Sequence, residues 1–236
     1  MTTKENMNPN KTARIAGFLY IIIFFLGVFA ELFVRQKLIV PGDAATTANN
    51  IMASESLFRL TLVSDLIRHM FLILLPLVLY RLLKPVNKNI AMLMVIFALV
   101  SMPIAMFNML NHFAALLLLS GADYMTAFEA GQLHAQMMFF LDLYVYGGFI
   151  PQVLSLWLLL LGYLVFKSGF LPRILGILLM FGCFCYLTDV VLFFLFPNSA
   201  ATLSLFAFIG ELLFALWLLI KGVNVEGWHK RAAEAA

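Results

Sequence analysis

The chain alternates between long apolar runs and short polar stretches. Six of the runs are long enough for a transmembrane helix, which needs about 20 mainly apolar residues. Spans 1 to 6 are predicted over roughly 14–34, 57–82, 89–119, 136–166, 172–196 and 201–221. The pattern predicts an all-α fold, a bundle of six transmembrane helices over 14–221 with a tail at 1–13 and another at 222–236. Pro103 in span 3, and Gly147–Gly148 with Pro151 in span 4, predict kinks.

The polar stretches between the spans differ in charge. Basic residues collect before span 1, after spans 2 and 4, and after span 6: Lys4, Lys11, Arg14, Arg81, Lys84, Lys88, Lys167, Arg173, Lys221, Lys230 and Arg231. Because positive charge stays on the cytoplasmic side, both termini are predicted to face the cytoplasm. Of the other connections, 35–56 and 120–136 are long and carry acids, and the one after span 5 is short. In the first of them, Asp43 is expected to cap a short helix over 44–53, and 120–136 is expected to contain another helical stretch.

Composition supports the membrane interpretation and removes several classes of function. The chain is 64% hydrophobic and 11% charged, against about 45–50% and about 25% in soluble domains. Cys183 and Cys185 are too close in sequence for a C-x-x-C motif, and two cysteines build no disulfide framework. There is no H-E-x-x-H, G-x-S-x-G or P-loop motif, and no basic patch for nucleic acid. No cofactor is expected.

Polar side chains interrupt the apolar spans on one side of the membrane midplane. With a rise of ~1.5 Å per residue, the carboxylates of spans 2, 4, 5 and 6 lie about 10–15 Å below the outer surface. This one-sided depth predicts an outward-facing acidic cavity. Its candidate ligand-binding residues are Asp65, Arg68, His69, Asn108, His112, Asp142, Asp189 and Glu211.

The spacing of these residues predicts two polar helix faces. Asp65, Arg68 and His69 are at positions i, i+3 and i+4, which share one face of span 2. Asn108 and His112 repeat that spacing on span 3, with Asn111 between them. If the two faces meet, two imidazoles converge at one depth.

The number of acids exceeds the number of cations within the spans. A charge at the bilayer centre costs at least about 2.5–3.5 kcal/mol, so each acid must face the interior, pair with a cation, or be protonated. Arg68 is the fixed cation, and Arg35 is expected to pair with Glu31 as an interfacial anchor. Asp189 and Glu211 have no cation nearby in sequence. Their carboxylates are therefore expected to be protonated, to bind a cation or to be hydrated by water.

Three hypotheses of function follow. The leading one is a non-enzymatic membrane protein, with the lipid bilayer as its partner, that binds or moves a small polar or cationic ligand, or protons. The second is an intramembrane hydrolase in which His69, His112 and Asp142 hold a metal that activates water on a lipid or lipid-linked substrate. In the third, the charges are internally paired and only hold helices together. An Asp65–Arg68 pair would then join spans 2 and 6.

Several stretches of the chain carry a resemblance to a known family. They are "ARIAGFLYIIIFFLGVFAELFVRQKLIVPGDAATTANNI", "SESLFRLTLVSDLIRHM", "YRLLKPVNKN", "LLLLSGADYMTAF", "LGYLVFKSGFLPRILGILL" and "GELLFALWLLIKGVNVEGW". Together they resemble a bacterial membrane family known as domain of unknown function 4386, over almost the whole chain after the first ten residues.

The resemblance implies a bacterial inner-membrane protein of six or seven helices, and it implies no catalytic residues. The family pattern has histidines after the Leu-Asp of span 4. Here that stretch is "LDLYVYGG", with Tyr144 and Tyr146 in their place. This departure weakens a histidine-rich metal site, while Asp142 itself is retained.

Overall fold

The computed structural model describes residues 8–196 and 202–235, and the regular structure in these residues is helical. The helices are α1 (Pro9–Leu38), α2 (Ala44–Ala53), α3 (Glu55–Leu83), α4 (Lys88–Leu118), α5 (Ala130–Gly147), α6 (Leu156–Ser168), α7 (Arg173–Leu195), α8 (Ser204–Ile220) and α9 (Val225–Glu234). Two parts of the predictions lie outside the described residues: the first seven residues of the N-terminal tail, and 197–201, where span 6 was expected to begin.

The all-α membrane fold is confirmed. Within the described residues, five helical segments are long and apolar enough to cross a membrane: α1, α3, α4, α5 with α6, and α7. Helix α8 has 17 residues, about 26 Å, which is at the short end for a span. It counts as a sixth span when it is joined to α9, but the chain bends by 100° between the two.

Two of the long segments depart from regular α-helix. The predicted break near Gly147–Gly148 and Pro151 is confirmed, because α5 ends at Gly147 and irregular helical turns fill 149–155 before α6. Pro103 lies within α4, which the structure assigns as one continuous helix. The other irregular segment, π-helical Phe29–Arg35 in α1, was not predicted.

The first long connection folds as its sequence indicates. Asp43 accepts a hydrogen bond from the Thr46 backbone N–H at 2.9 Å and caps α2. A second bond, from the Thr46 hydroxyl, helps to hold the pKa of Asp43 below its usual value. In the later connection a 3₁₀ turn covers Asp123–Ala127. Both predicted helical stretches are therefore present.

The contacts divide the chain into two compact units. The terminal unit comprises residues up to 22, 71–101 and from 152 onward, and the middle unit comprises 23–70 and 102–151. In the terminal unit α6 and α7 approach closely at two glycines. A Cβ built on Gly162 would lie 2.6 Å from the carbonyl oxygen of Gly176. Only hydrogen in place of a side chain permits this approach.

The middle unit has its own apolar core. Val34 and Leu38 at the end of α1 pack with Ala48 and Ile51 of α2, while α3, α4 and α5 contribute the remaining buried residues. The capped helix α2 is therefore part of the packing. The polar residues described next lie in this same unit.

Candidate functional site

A buried ion pair joins α1 to α3 in the middle unit. The guanidinium Nη1 of Arg35 lies 2.7 Å from Asp65 Oδ2, and its Nε lies 2.9 Å from Glu31 Oε2. The Arg35–Glu31 pair is confirmed, but Arg35 is not an exposed anchor, because the residue is only 6% exposed. It lies at the end of the π-helical segment. The wider π turn changes the direction in which the following side chains project.

Asp65 has two further partners. The Tyr144 hydroxyl donates to Asp65 Oδ2 at 2.9 Å, and Arg68 Nε lies 3.5 Å from Oδ1. The expected Asp65–Arg68 pair is therefore present, but both residues belong to α3, so the pair by itself joins no two helices. Asp65 instead connects α3 to α1 and α5. The Tyr144 ring also lies under the guanidinium, with Arg35 Cζ 5.3 Å from the ring centroid.

His112 lies at the centre of this cluster and is completely buried. Its ring is 4.5 Å from that of Phe58 and 4.8 Å from that of Tyr144, measured between centroids. Neither ring nitrogen has a hydrogen-bond partner in the described part of the chain. Asp65 Oδ1 and Arg68 Nε are also buried without a hydrogen bond there. Buried polar atoms are paired in the large majority of cases, so four such atoms in one cluster require an explanation.

The asparagines of α4 hold the broken end of α5. Asn108 Nδ2 donates to the backbone carbonyl oxygen of Tyr144 at 2.8 Å, and Asn111 Nδ2 donates to Asn108 Oδ1 at 3.0 Å. Asn108 also lies against Gly147, where a Cβ would collide with its side chain. The alternative role as an interhelical hydrogen-bonding group is thus confirmed for Asn108, whereas the bond of Asn111 stays within α4. These bonds fix the position of Tyr144.

His69 and Asp142 contribute less than predicted. His69 Nδ1 is 2.6 Å from the backbone carbonyl oxygen of Asp65, one turn earlier on its own helix. The acceptor is a carbonyl, so Nδ1 carries the proton. Asp142 is half-buried. Across the described residues, no three His, Cys, Asp or Glu side chains come together as a metal site would require. The proposed ligands His69, His112 and Asp142 therefore do not form such a group.

In the terminal unit, Asp189 is bound by the protein itself. Its Oδ1 accepts from the Leu203 N–H at 2.7 Å, and its Oδ2 accepts from the Ser204 N–H at 2.8 Å. These N–H groups belong to the start of α8, where a negative charge is favourable. The Thr202 hydroxyl adds a third bond at 3.2 Å. The expectation that Asp189 needs a ligand from outside is corrected by these contacts.

Glu211 also has protein donors. The Tyr186 hydroxyl donates to Oε1 at 2.9 Å and the Tyr20 hydroxyl to Oε2 at 3.3 Å. The three residues come from α7, α1 and α8. Glu211 is therefore hydrogen-bonded but has no ion-pair partner among the described residues, an arrangement that the charges along the sequence do not predict.

Two cavities of the terminal unit, of about 460 and 330 Å³, are lined by residues near the N-terminus of α1 and by residues around the connection from α8 to α9. None of the predicted site residues lines either of them. The candidate site is therefore the buried cluster of Arg35, Asp65, Arg68, His112 and Tyr144. Of these five, sequence reasoning missed Arg35 and Tyr144.

Long apolar helices around buried ionic groups define the class: this is a multi-pass helical membrane protein. The chain belongs to the family described as domain of unknown function DUF4386, which matches residues 15–222. The resemblance seen in the sequence is thereby confirmed.

One similar protein comes from an archaeon. An uncharacterized protein of Archaeoglobus fulgidus is 37% identical over 147 residues, which are 61% of this chain and 72% of that protein. No solved structure matches the chain. The comparisons thus establish the family and leave the activity to be inferred from the site.

Proposed function

We propose that the protein binds a small neutral polar solute at the cluster of Arg35, Asp65, Arg68, His112 and Tyr144. The observation that carries this proposal is His112, whose two ring nitrogens are fully buried and have no hydrogen-bond partner in the described residues. A neutral imidazole has one donor and one acceptor. A small solute with both kinds of group would satisfy them.

The charges of the cluster favour a neutral ligand over a cation. The two guanidinium groups of Arg35 and Arg68 face the carboxylates of Glu31 and Asp65. Positive and negative charges are therefore equal in number, and no acid is in surplus. A cation entering this site would be repelled by two arginines. The cationic ligand expected from the acids alone is thus not part of the proposal.

The backbone around the cluster supports a binding role. Arg35 ends a π-helical segment, and π turns are frequent at functional sites. Tyr144 lies one turn before the end of α5, where the regular helix stops. Irregular backbone at membrane depth is tolerated where it is buried or lines a polar cavity. Two such irregularities meet at one polar cluster.

The rival function is a purely structural one, in which all charges are paired inside the protein. The contacts of Asp189 and Glu211 favour it for the terminal unit. For the middle unit the two functions differ in one property. A binding site admits small polar molecules to His112, whereas a structural cluster excludes them.

Diethyl pyrocarbonate, which reacts with unprotonated imidazole, tests this difference. The protein in lipid nanodiscs is treated with the reagent, and the modified histidines are located by mass spectrometry. The exposed His229 is the internal control. We expect His112 to react in the folded protein and to be protected by high concentrations of glycerol or urea. Modification of His229 alone, with His112 reacting only after denaturation, would overturn the proposal.

We further propose that both termini face the cytoplasm of a bacterial cell. The basic connections, including Lys84 and Lys88, support this orientation through the positive-inside rule. Cysteines introduced one at a time at Lys84 and at Asp123, in a chain whose free Cys183 and Cys185 are replaced by serine, should differ in intact cells. A membrane-impermeant maleimide should label only the cysteine at 123, and labelling at 84 alone would reverse the orientation.

A further inference from the structure

A groove in the terminal unit runs along the first turns of α1. Its volume is about 460 Å³, which is within the range of about 300–1,000 Å³ found for small-molecule sites. The lining residues form a polar group and an apolar group. The polar end is lined by Asn8, Asn10, Lys11 and Arg14, and the apolar end by Ile15, Phe18 and Leu219.

Helix geometry produces this division. Lys11, Arg14, Ile15 and Phe18 are spaced i, i+3, i+4 and i+7, so they lie on one face of α1. The cations are near the helix start, and Phe18 is about 10 Å further along the axis. Leu219 of α8 completes the apolar wall. The groove is therefore amphiphilic along its length.

The two cations of the groove are exposed. No ion pair links Lys11 or Arg14 to another described residue, although such pairs form elsewhere in the chain. Asn10 at the polar end is fixed, since its Oδ1 accepts from the Val223 N–H at 3.3 Å. At the other end the side chain of Phe18 is 56% exposed. Charge and apolar surface thus lie side by side and open outward.

We propose that this groove binds an anionic phospholipid. Its phosphate would lie between Lys11 and Arg14, and the first part of an acyl chain would lie against Phe18 and Leu219. A soluble phosphate compound would use only the polar end, and a zwitterionic lipid would bring no net charge to the two cations. Basic residues at a membrane surface attract anionic lipids in this way. The site is independent of the His112 cluster.

Native mass spectrometry of the full chain with added lipid tests the proposal. Delipidated protein is mixed with phosphatidylglycerol or with phosphatidylcholine of the same acyl chains, and bound lipid is counted. We expect preferential retention of phosphatidylglycerol. The double variant K11Q/R14Q should weaken it by about fivefold per charge removed, and each single variant should give about half of that loss on a logarithmic scale.

The matched control is K84Q/K88Q, which also removes two positive charges but alters no residue of the groove. It should leave lipid retention close to that of the unmodified chain. Equal retention of the two lipids, or an equal loss in the control variant, would overturn the proposal. Melting temperature and gel-filtration profile confirm folding, and the single variants K11Q and R14Q keep the test decisive if the double variant does not fold.

Discussion

Replacing Arg35 by methionine should destabilise the protein strongly. The change leaves the carboxylate of Asp65 buried without its 2.7 Å partner. Breaking a buried pair from one side costs about 3–5 kcal/mol. Arg68 still lies 3.5 Å from the other carboxylate oxygen, so we expect the lower end, about 3 kcal/mol. For a chain of this size that is a fall of about 6–12 °C in melting temperature.

A pair on the surface of α3 provides the control. Arg59 and Glu55 are 2.6 Å apart and have side chains about half exposed. Arg59→Met should therefore cost at most about 0.5 kcal/mol. Thermal unfolding in detergent, followed by circular dichroism, measures both variants. Adding Asp65→Asn to Arg35→Met should recover at least half of the loss, because the uncompensated charge disappears. Equal losses for Arg35→Met and Arg59→Met, or no recovery in the double variant, would refute the reasoning.

Three further changes test other parts of the structure by the same unfolding measurement or by hydrogen exchange. Gly162→Ala should lower the free energy of unfolding by about 1–3 kcal/mol, because the new Cβ meets a backbone carbonyl of α7. Gly131 faces open space, so Gly131→Ala should raise the free energy of unfolding by about 0.5–1 kcal/mol. Equal effects of the two substitutions would contradict the close approach of α6 and α7. Asp189→Ala should lower the free energy of unfolding by about 1–2 kcal/mol. Asp189→Asn should lower it less, because the amide oxygen of asparagine still accepts a hydrogen bond from the start of α8. A larger loss for Asp189→Asn than for Asp189→Ala would exclude a capping role for Asp189. The pKa of Asp43 is lowered in the folded protein, so its cap is complete above its usual value of 3.8 and is lost as pH falls through the folded pKa. The protection factor of the Thr46 amide, which corrects for the slower intrinsic exchange in acid, should then fall as the pH is lowered, but not in Asp43→Asn.

Local sequence signals predicted the spans and the cap of α2. Apolar runs locate helices because each run must stay in lipid, and Asp43 caps the helix that directly follows it. The partners of the acids were not predictable in the same way. The charge pattern of a sequence shows only side-chain cations, whereas Asp189 is bound by backbone N–H groups of α8 and Glu211 by two tyrosine hydroxyls. Such donors carry no charge, so they leave no trace in a charge pattern.

The central pair was missed for a different reason. Arg35 follows an apolar run, and Lys37 comes two residues later. This is the pattern of a helix end at a membrane surface. The structure continues α1 to Leu38 through a π turn and buries Arg35. In the sequence, Tyr144 differs from its surroundings only as a departure from the family pattern. Its role depends on Asn108 of a distant helix, which holds the backbone of the turn.

The π-helical segment also determines where α1 can change in length. A residue added to or removed from an α-helix turns everything beyond it by about 100°. A π turn already contains one residue more than an α turn, so losing one residue there restores regular helix without that rotation. Deletion of the exposed Leu32 should thus preserve the ion pair between Arg35 and Asp65. Deletion of the similarly exposed Leu66 in α3 should disrupt the cluster. Thermal unfolding of the two deletion variants measures the difference. Among the described residues of α1, this segment is where a single-residue deletion can be absorbed.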